Sequence, residues 1–196
     1  MAGAKNSALK LMAAVVLAPG RHTLRNVPRI ADVTLMAELL ERMGARVTRG
    51  ADEPDVVTIE VPDEMVPEAP YDLVEKMRAS IVVLGPLLAR FGEARVSVPG
   101  GDDFGHRPID MHLRALEELG ATFTTSHGVI EGRAERLLGT RILLEYPSVG
   151  ATENLLMAAV TAKGTTVIDN AAREPEIEDL AAFLVGMGAD VSGAGG

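Results

Sequence analysis

Hydrophobic and polar positions follow two patterns along this chain, and both patterns recur. Residues 7–18, 77–91 and 152–162 are runs of small and aliphatic residues with few charges. A helix that is apolar around nearly its whole circumference must be buried around nearly all of it. These runs therefore predict three central helices. A glycine and a β-prone run follow each: Gly20 before 21–25, Gly92 before 94–98, and Gly164 before 165–169. Next comes a turn, at Asn26-Val27-Pro28, Pro99-Gly100-Gly101 and Asn170-Ala171-Ala172-Arg173. An amphipathic helical period then takes over.

The amphipathic helices end in nearly the same words: 40–47 (LERMGARV), 116–123 (LEELGATF) and 184–191 (LVGMGADV). Each places a glycine where a helix end adopts the left-handed conformation, and each continues into a short β-prone run. The spacing is 76 residues from Gly44 to Gly120 and 68 from Gly120 to Gly188. Further strands are predicted at 56–61, 129–132 and 141–146. Turn signals at Asp52-Glu53-Pro54 and Ser126-His127-Gly128 predict hairpins, and the proline-rich stretch 62–70 reads as a linker.

The whole chain, 1–196, is thus expected to form one α/β domain. It is a pseudo-threefold repeat with units at approximately 3–62, 63–133 and 134–196, because one such unit cannot bury two helices alone. The first unit lacks a strand before its central helix, and the third stops where its last strand is due. Both ends are therefore expected to be cut, leaving sheet edges that invite self-association.

Composition narrows the function. The 196 residues are 47% hydrophobic and 24% charged, with 3% aromatics, a globular balance. The net charge of −9 argues against binding nucleic acid phosphates, but 15 Arg against 4 Lys suit local, bidentate anion binding. The chain has no cysteine, which fits the cytoplasm and removes thiolate chemistry. The longest apolar run, 81–89, is too short to span a bilayer.

The segment 99–108 (PGGDDFGHRP) carries the densest chemistry. Its glycines resist regular structure, yet it holds Asp102, Asp103, His106 and Arg107 between a strand signal and a helix signal. His106 and His112 have no third group at ligand spacing, and we read them as solvated, with no metal and no cofactor.

Several stretches together resemble one family. They are 3–9 (GAKNSAL), 77–80 (MRAS), 99–101 with 105–108, 148–152 (SVGAT) and 170–177 (NAAREPEI). In that order they resemble UDP-N-acetylglucosamine 1-carboxyvinyltransferases, the enolpyruvyl transferases that open peptidoglycan synthesis. The resemblance implies an inside-out fold of βαβαββ units, with helices inside and sheets outside. It also implies that a second domain of the enzyme is absent here. The reaction moves enolpyruvyl from phosphoenolpyruvate to the 3′-hydroxyl of UDP-N-acetylglucosamine by addition and elimination, and it needs no cofactor.

The roles that follow are implied by the resemblance. Asp102 stands where most members carry cysteine, as in the mycobacterial-like variant, and protonates the methylene carbon of phosphoenolpyruvate. Asp103 is the competing acid one residue on. Lys5, Asn6 and Arg107 contact phosphoenolpyruvate. Arg78, Arg107, Pro108, Ile109, Asp110, Met111, Ser148, Val149, Gly150 and Glu176 line the nucleotide-sugar site, with Asp110 accepting the uracil imide proton. Asp32 matches a carboxylate near the site. Tyr146 departs from the pattern, replacing a lysine that some members use on the diphosphate. The shikimate-pathway enolpyruvyl transferase shares the fold, but it carries different motifs at 3–6 and 99–102. A non-catalytic binding module on the same repeat is the other alternative.

Overall fold

The computed structural model describes residues 4–98 and 109–196. Its first central helix, α1 (Lys5–Ala14), runs on into a single 3-10 turn, Val15–Leu17. The chain then lays down β1 (Gly20–Leu24), α2 (Ala31–Arg42), β2 (Arg46–Arg49) and β3 (Val57–Val61). Both β1 and β2 pair antiparallel with β3, giving the order β1-β3-β2. Strand β3 buries every second residue, Val57, Ile59 and Val61, so one face of the sheet meets the helices and the other meets solvent.

The second segment begins with β4 (Glu68–Ala69) and the short α3 (Tyr71–Val74). β4 lies within the stretch 62–70 that reads as a linker, and α3 follows it where no element is predicted. β4 survives there because β5 (Glu93–Ser97) offers a parallel edge to pair with. The second central helix is not uniform. Arg78–Val83 is 3-10, and only Leu84–Phe91 (α4) is α-helical. Pro86 has no N–H to donate and is tolerated only in a first turn, so the α-helix starts just ahead of it. α5 (Asp110–Glu118), β6 (Thr122–Ser126) and β7 (Val129–Arg133) complete the segment, and the sheet order is β4-β5-β7-β6. The β6–β7 hairpin turns on His127 and Gly128, both with positive φ.

The third segment has β8 (Arg141–Leu143), α6 (Val149–Ala159), β9 (Val167–Asp169) and α7 (Pro175–Gly186), with β8 and β9 parallel. The strand predicted after Gly188 does not form. Residues 189–191 pair with no strand among the described residues, and a β-prone run without a pairing edge stays irregular. β8 likewise stops at Leu143, short of the predicted Tyr146.

Three helix ends behave as predicted. Gly44, Gly120 and Gly188 have φ of +110°, +101° and +103°, values open to glycine at a helix C-terminus. The strand-to-helix turns at Asn26 and Asn170 also match each other, with φ of 60° and 56°; asparagine tolerates this region better than most residues.

α1, α4 and α6 form the interior. α6 is the most enclosed, with every residue from Ala151 to Ala158 buried. α1 packs on α2 and α7, and α6 packs on α4, α5 and α7. Leu9, Met12, Met36, Leu39, Leu84, Leu87 and Leu116 fill the space between them. Aliphatic and thioether side chains pack densely without aromatic rings, which suits a chain with no tryptophan.

Candidate functional site

Three helices begin side by side. α1, α2 and α7 start after Ala4, Ile30 and Glu174, and none of these residues caps its helix with a side chain. Uncapped first turns point N–H groups outward, and the helix dipoles add positive potential. Together they make a face suited to anions.

Side chains join the three first turns. Lys5 forms an ion pair with Asp32. Asn6 Nδ2 donates to Glu176 Oε1 at 3.2 Å, and Ser7 Oγ donates to Asp179 Oδ2 at 2.5 Å. Lys5, Asn6, Asp32 and Glu176, which lie far apart in sequence, therefore meet in one cluster. Each cation or donor in the cluster already holds a carboxylate.

One turn below Asn6 on α1, Lys10 points inward. Its Nζ lies 2.8 Å from Glu153 Oε2 on α6. Glu153 is 0% exposed, and neither carboxylate oxygen completes a hydrogen bond among the described residues, so Lys10 faces it as an ion pair. Burial pushes its proton affinity up, Lys10 pulls it back, and the Glu176 and Glu174 carboxylates push it up further, to about 7.

Glu153 is the middle of three consecutive buried polar residues on α6. Thr152 donates to Ser148 O at 2.8 Å and accepts from the Ala172 N–H at 3.0 Å, tethering the turn that leads to α7. Asn154 accepts the Gly85 N–H at 2.7 Å, donates to Ile81 O at 3.0 Å and lies 2.8 Å from His112 Nδ1. Three neighbouring side chains thus tie α6 to α1, α4, α5 and the approach to α7.

A second group sits at the start of α6. Ser148 caps the helix, its Oγ accepting the Ala151 N–H at 3.3 Å. His112 of α5 packs against Gly150, where a Cβ would lie 3.0 Å from the imidazole. His112 is therefore buried between α5 and α6, which corrects its reading as a solvated residue. Asp110 opens α5 and faces Arg114 at 3.6 Å; Arg114 in turn donates to Glu145 at 2.7 Å. Met111 is buried in the core, so its side chain packs inward and only its backbone faces the first turn of α5.

Asp102, Asp103, His106, Arg107 and Pro108 lie outside the described residues. Arg78 begins the 3-10 stretch that packs on α6 and α1. Two concavities lie elsewhere. One of about 550 Å³ is lined by Arg90, Arg133 and Arg136. Another, of about 490 Å³, runs beside β9 and reaches the cluster only through Thr152, Arg173 and Ile177. Neither of these two encloses the clustered helix starts, which among the described residues form an open face. Among the described residues no His, Asp and Glu gather as a metal-binding group, and no helix is long and apolar enough to cross a membrane.

Lys10, Glu153 and Asn154 escape a reading by motif. One signal was available. Three consecutive polar residues on a helix cover about 200° of its circumference. If that helix is buried all round, at least one of them must be buried with a partner.

Residues 1–196 match the family described as EPSP synthase (3-phosphoshikimate 1-carboxyvinyltransferase). The UDP-N-acetylglucosamine 1-carboxyvinyltransferase of Nocardia farcinica is 57% identical over 196 residues, covering 98% of this chain and 46% of the relative. The protein of the same name from Gluconacetobacter diazotrophicus is 59% identical over 195 residues, again covering 98% and 46%. The chain thus spans about half the length of these relatives. Among solved structures, the enolpyruvyl transferase NikO from Streptomyces tendae superposes with a TM-score of 0.85 at 24% identity, over 97% of this chain and 44% of that one. An EPSP synthase from Acinetobacter baumannii superposes at 0.75 and 20% identity, over 99% and 44%. At that identity these two likenesses speak for the α/β fold alone.

Proposed function

The chain belongs to the EPSP synthase family, and from that membership we propose that it is one half of an enzyme transferring enolpyruvyl from phosphoenolpyruvate to the 3′-hydroxyl of UDP-N-acetylglucosamine. The observation that carries this reading is the meeting of Lys5, Asn6, Asp32 and Glu176 on three uncapped helix starts. An anionic substrate and a sugar rich in hydroxyls need that mixture of cation, amide and carboxylate. The names of the relatives favour the nucleotide sugar over shikimate 3-phosphate as acceptor.

In this reading the carboxyl group of Asp102 gives its proton to the methylene carbon of phosphoenolpyruvate, and C2 becomes electrophilic. The sugar 3′-hydroxyl adds to C2 as its proton passes to a carboxylate that the second domain supplies. The resulting tetrahedral adduct then expels phosphate and returns a methyl proton to the Asp102 carboxylate, which restores the double bond on the product. Lys5, Asn6 and Arg107 hold the phosphate and carboxylate of phosphoenolpyruvate, where fixed donors are worth most as charge shifts. Ser148, Val149 and Gly150 offer the first-turn amides of α6 to the diphosphate. Asp110, with the backbone of Pro108, Ile109 and Met111, takes the uracil; Arg78 and Glu176 take the sugar. The open face is half of a cleft whose other wall belongs to a second domain.

We further read the three segments, at approximately 3–62, 63–133 and 134–196, as pseudo-threefold copies around the α1–α4–α6 interior. Their proposed setting is the cytoplasm, in the first committed step of peptidoglycan synthesis.

The test joins this chain to the second half of the Nocardia farcinica relative. Phosphate release and product mass are followed with UDP-N-acetylglucosamine and, in parallel, with shikimate 3-phosphate. Transfer to the nucleotide sugar is expected from the joined protein and not from this chain alone. Transfer to shikimate 3-phosphate, or to neither acceptor, overturns the reading.

A further inference from the structure

Glu153 has no part in the chemistry above, yet it is the least exposed carboxylate of the described chain, at 0%. A buried carboxylate whose oxygens complete no hydrogen bond is costly, and well-packed apolar residues in place of such a pair often serve stability better. Lys10 and Glu153 therefore call for a role other than holding α1 to α6.

We propose that Glu153 is a positioning residue for the anion-facing first turns, acting on α1 through Lys10 and on α7 through Glu176. This rests on the enolpyruvyl-transfer reading for what those turns bind, and on the structure alone for how they are coupled. Lys10 lies four residues after Asn6, on the same side of α1. Asn6 donates to Glu176, so a movement of α1 reaches the first turn of α7 through that bond. When Glu153 is ionised it holds Lys10 toward α6, and α1 keeps the register in which Asn6 donates to Glu176. When it is protonated that hold is released, and the Asn6–Glu176 bond between α1 and α7 is free to shift.

The groups around Glu153 support a single coupled unit. α1 presents Lys10, and the start of α7 presents Glu176 with Glu174 just before it. α5 contributes His112, which is bound to the adjacent Asn154. α4 presents apolar residues, with Arg90 at its far end held by the Val16 and Pro62 carbonyls. Lys10 is the cation in direct contact with Glu153 among the described residues.

The experiment follows the Asn6 side-chain amide of the ¹⁵N-labelled 196-residue chain by NMR from pH 5.5 to 8.5. The wild-type signal is expected to titrate near neutrality and the signal in E153Q to stay flat. The K10M/E153M variant replaces the pair by thioethers, keeps the fold if E153Q does not, and is also expected to be flat. A flat wild-type signal, or a neutral titration that persists without Glu153, overturns the proposal; a pair that only cements the core moves stability and leaves this signal unchanged. In the joined two-half protein, the KM for UDP-N-acetylglucosamine is expected to vary about fivefold between pH 6 and 8 beyond any change seen in E153Q. Transfer without the NMR titration sinks this inference. Titration without transfer sinks the substrate reading and leaves the coupling standing.

Discussion

Asn154 Oδ1 accepts the backbone N–H of Gly85 at 2.7 Å, where α6 and α4 lie so close that a Cβ on residue 85 would fall 2.3 Å from the Asn154 carbonyl oxygen. The contact is backbone against backbone, so no side-chain rotation relieves it. Gly85→Ala is expected to lower stability by about 3 kcal/mol, measured by urea unfolding. Asn154→Ala, which strands the Gly85 N–H and the Ile81 carbonyl, should cost about as much. A loss below roughly 1 kcal/mol in both would show that the two helices can part freely.

The buried carboxylate makes stability depend on pH in a defined direction. The folded protein raises Glu153 from 4.5 to about 7, so the folded state holds this proton more tightly than the unfolded chain does. The contribution is fully present below about pH 4.5 and is lost as pH rises through 7. Across that window the wild type should lose roughly 3 kcal/mol relative to Glu153→Gln. Thermal unfolding of both proteins from pH 5 to 8 checks this; parallel curves would refute it.

Lys5 separates chemistry from stability. Its ion pair with Asp32 is on the surface, with side-chain exposures of 55% and 27%, and such pairs contribute about 0–1 kcal/mol. Lys5→Met should leave the unfolding midpoint nearly unchanged. In the joined two-half protein it should reduce enolpyruvyl transfer by about 100-fold or more, the scale of losing one oriented donor. A large drop in stability with normal transfer would reverse the assignment.

Asp102 predicts resistance to an epoxide. Fosfomycin alkylates the cysteine thiolate that most members of the resembled family carry at this position, and a carboxylate is a much weaker nucleophile toward it. Intact mass after incubation is expected to show no adduct, whereas Asp102→Cys in the joined protein should restore one. A stable adduct on the unaltered chain would refute the prediction.

The sequence was most legible where a rule of geometry leaves one solution. Gly44, Gly120 and Gly188 could be placed at helix ends because left-handed backbone excludes most side chains, and the Ser126–Gly128 hairpin followed from the same constraint. The central helices were legible from composition alone. Their polar residues were not, because partnerships such as Lys10 with Glu153 or Asn154 with Gly85 depend on which helices become neighbours, and periodicity carries no record of that. His112 was misread for the same reason: on α5 alone it is one polar residue in an amphipathic pattern, and only Gly150 on α6 makes room for its ring. The strand expected at 189–191 failed because β propensity states a willingness to pair and cannot supply the partner.

The link between Ser7 and Asp179 closes a loop of 172 residues, and that between Asn6 and Glu176 one of 170. The β2–β3 and β6–β7 pairings, by contrast, join near neighbours. Local hairpins form in microseconds, whereas distant closures wait on most of the chain. During synthesis α1 emerges well before α7. Lys10 stays in water until Glu153 has been made and seated. The first turns of α1 and α7 therefore come together only once the third segment has been made, however early the first segment folds.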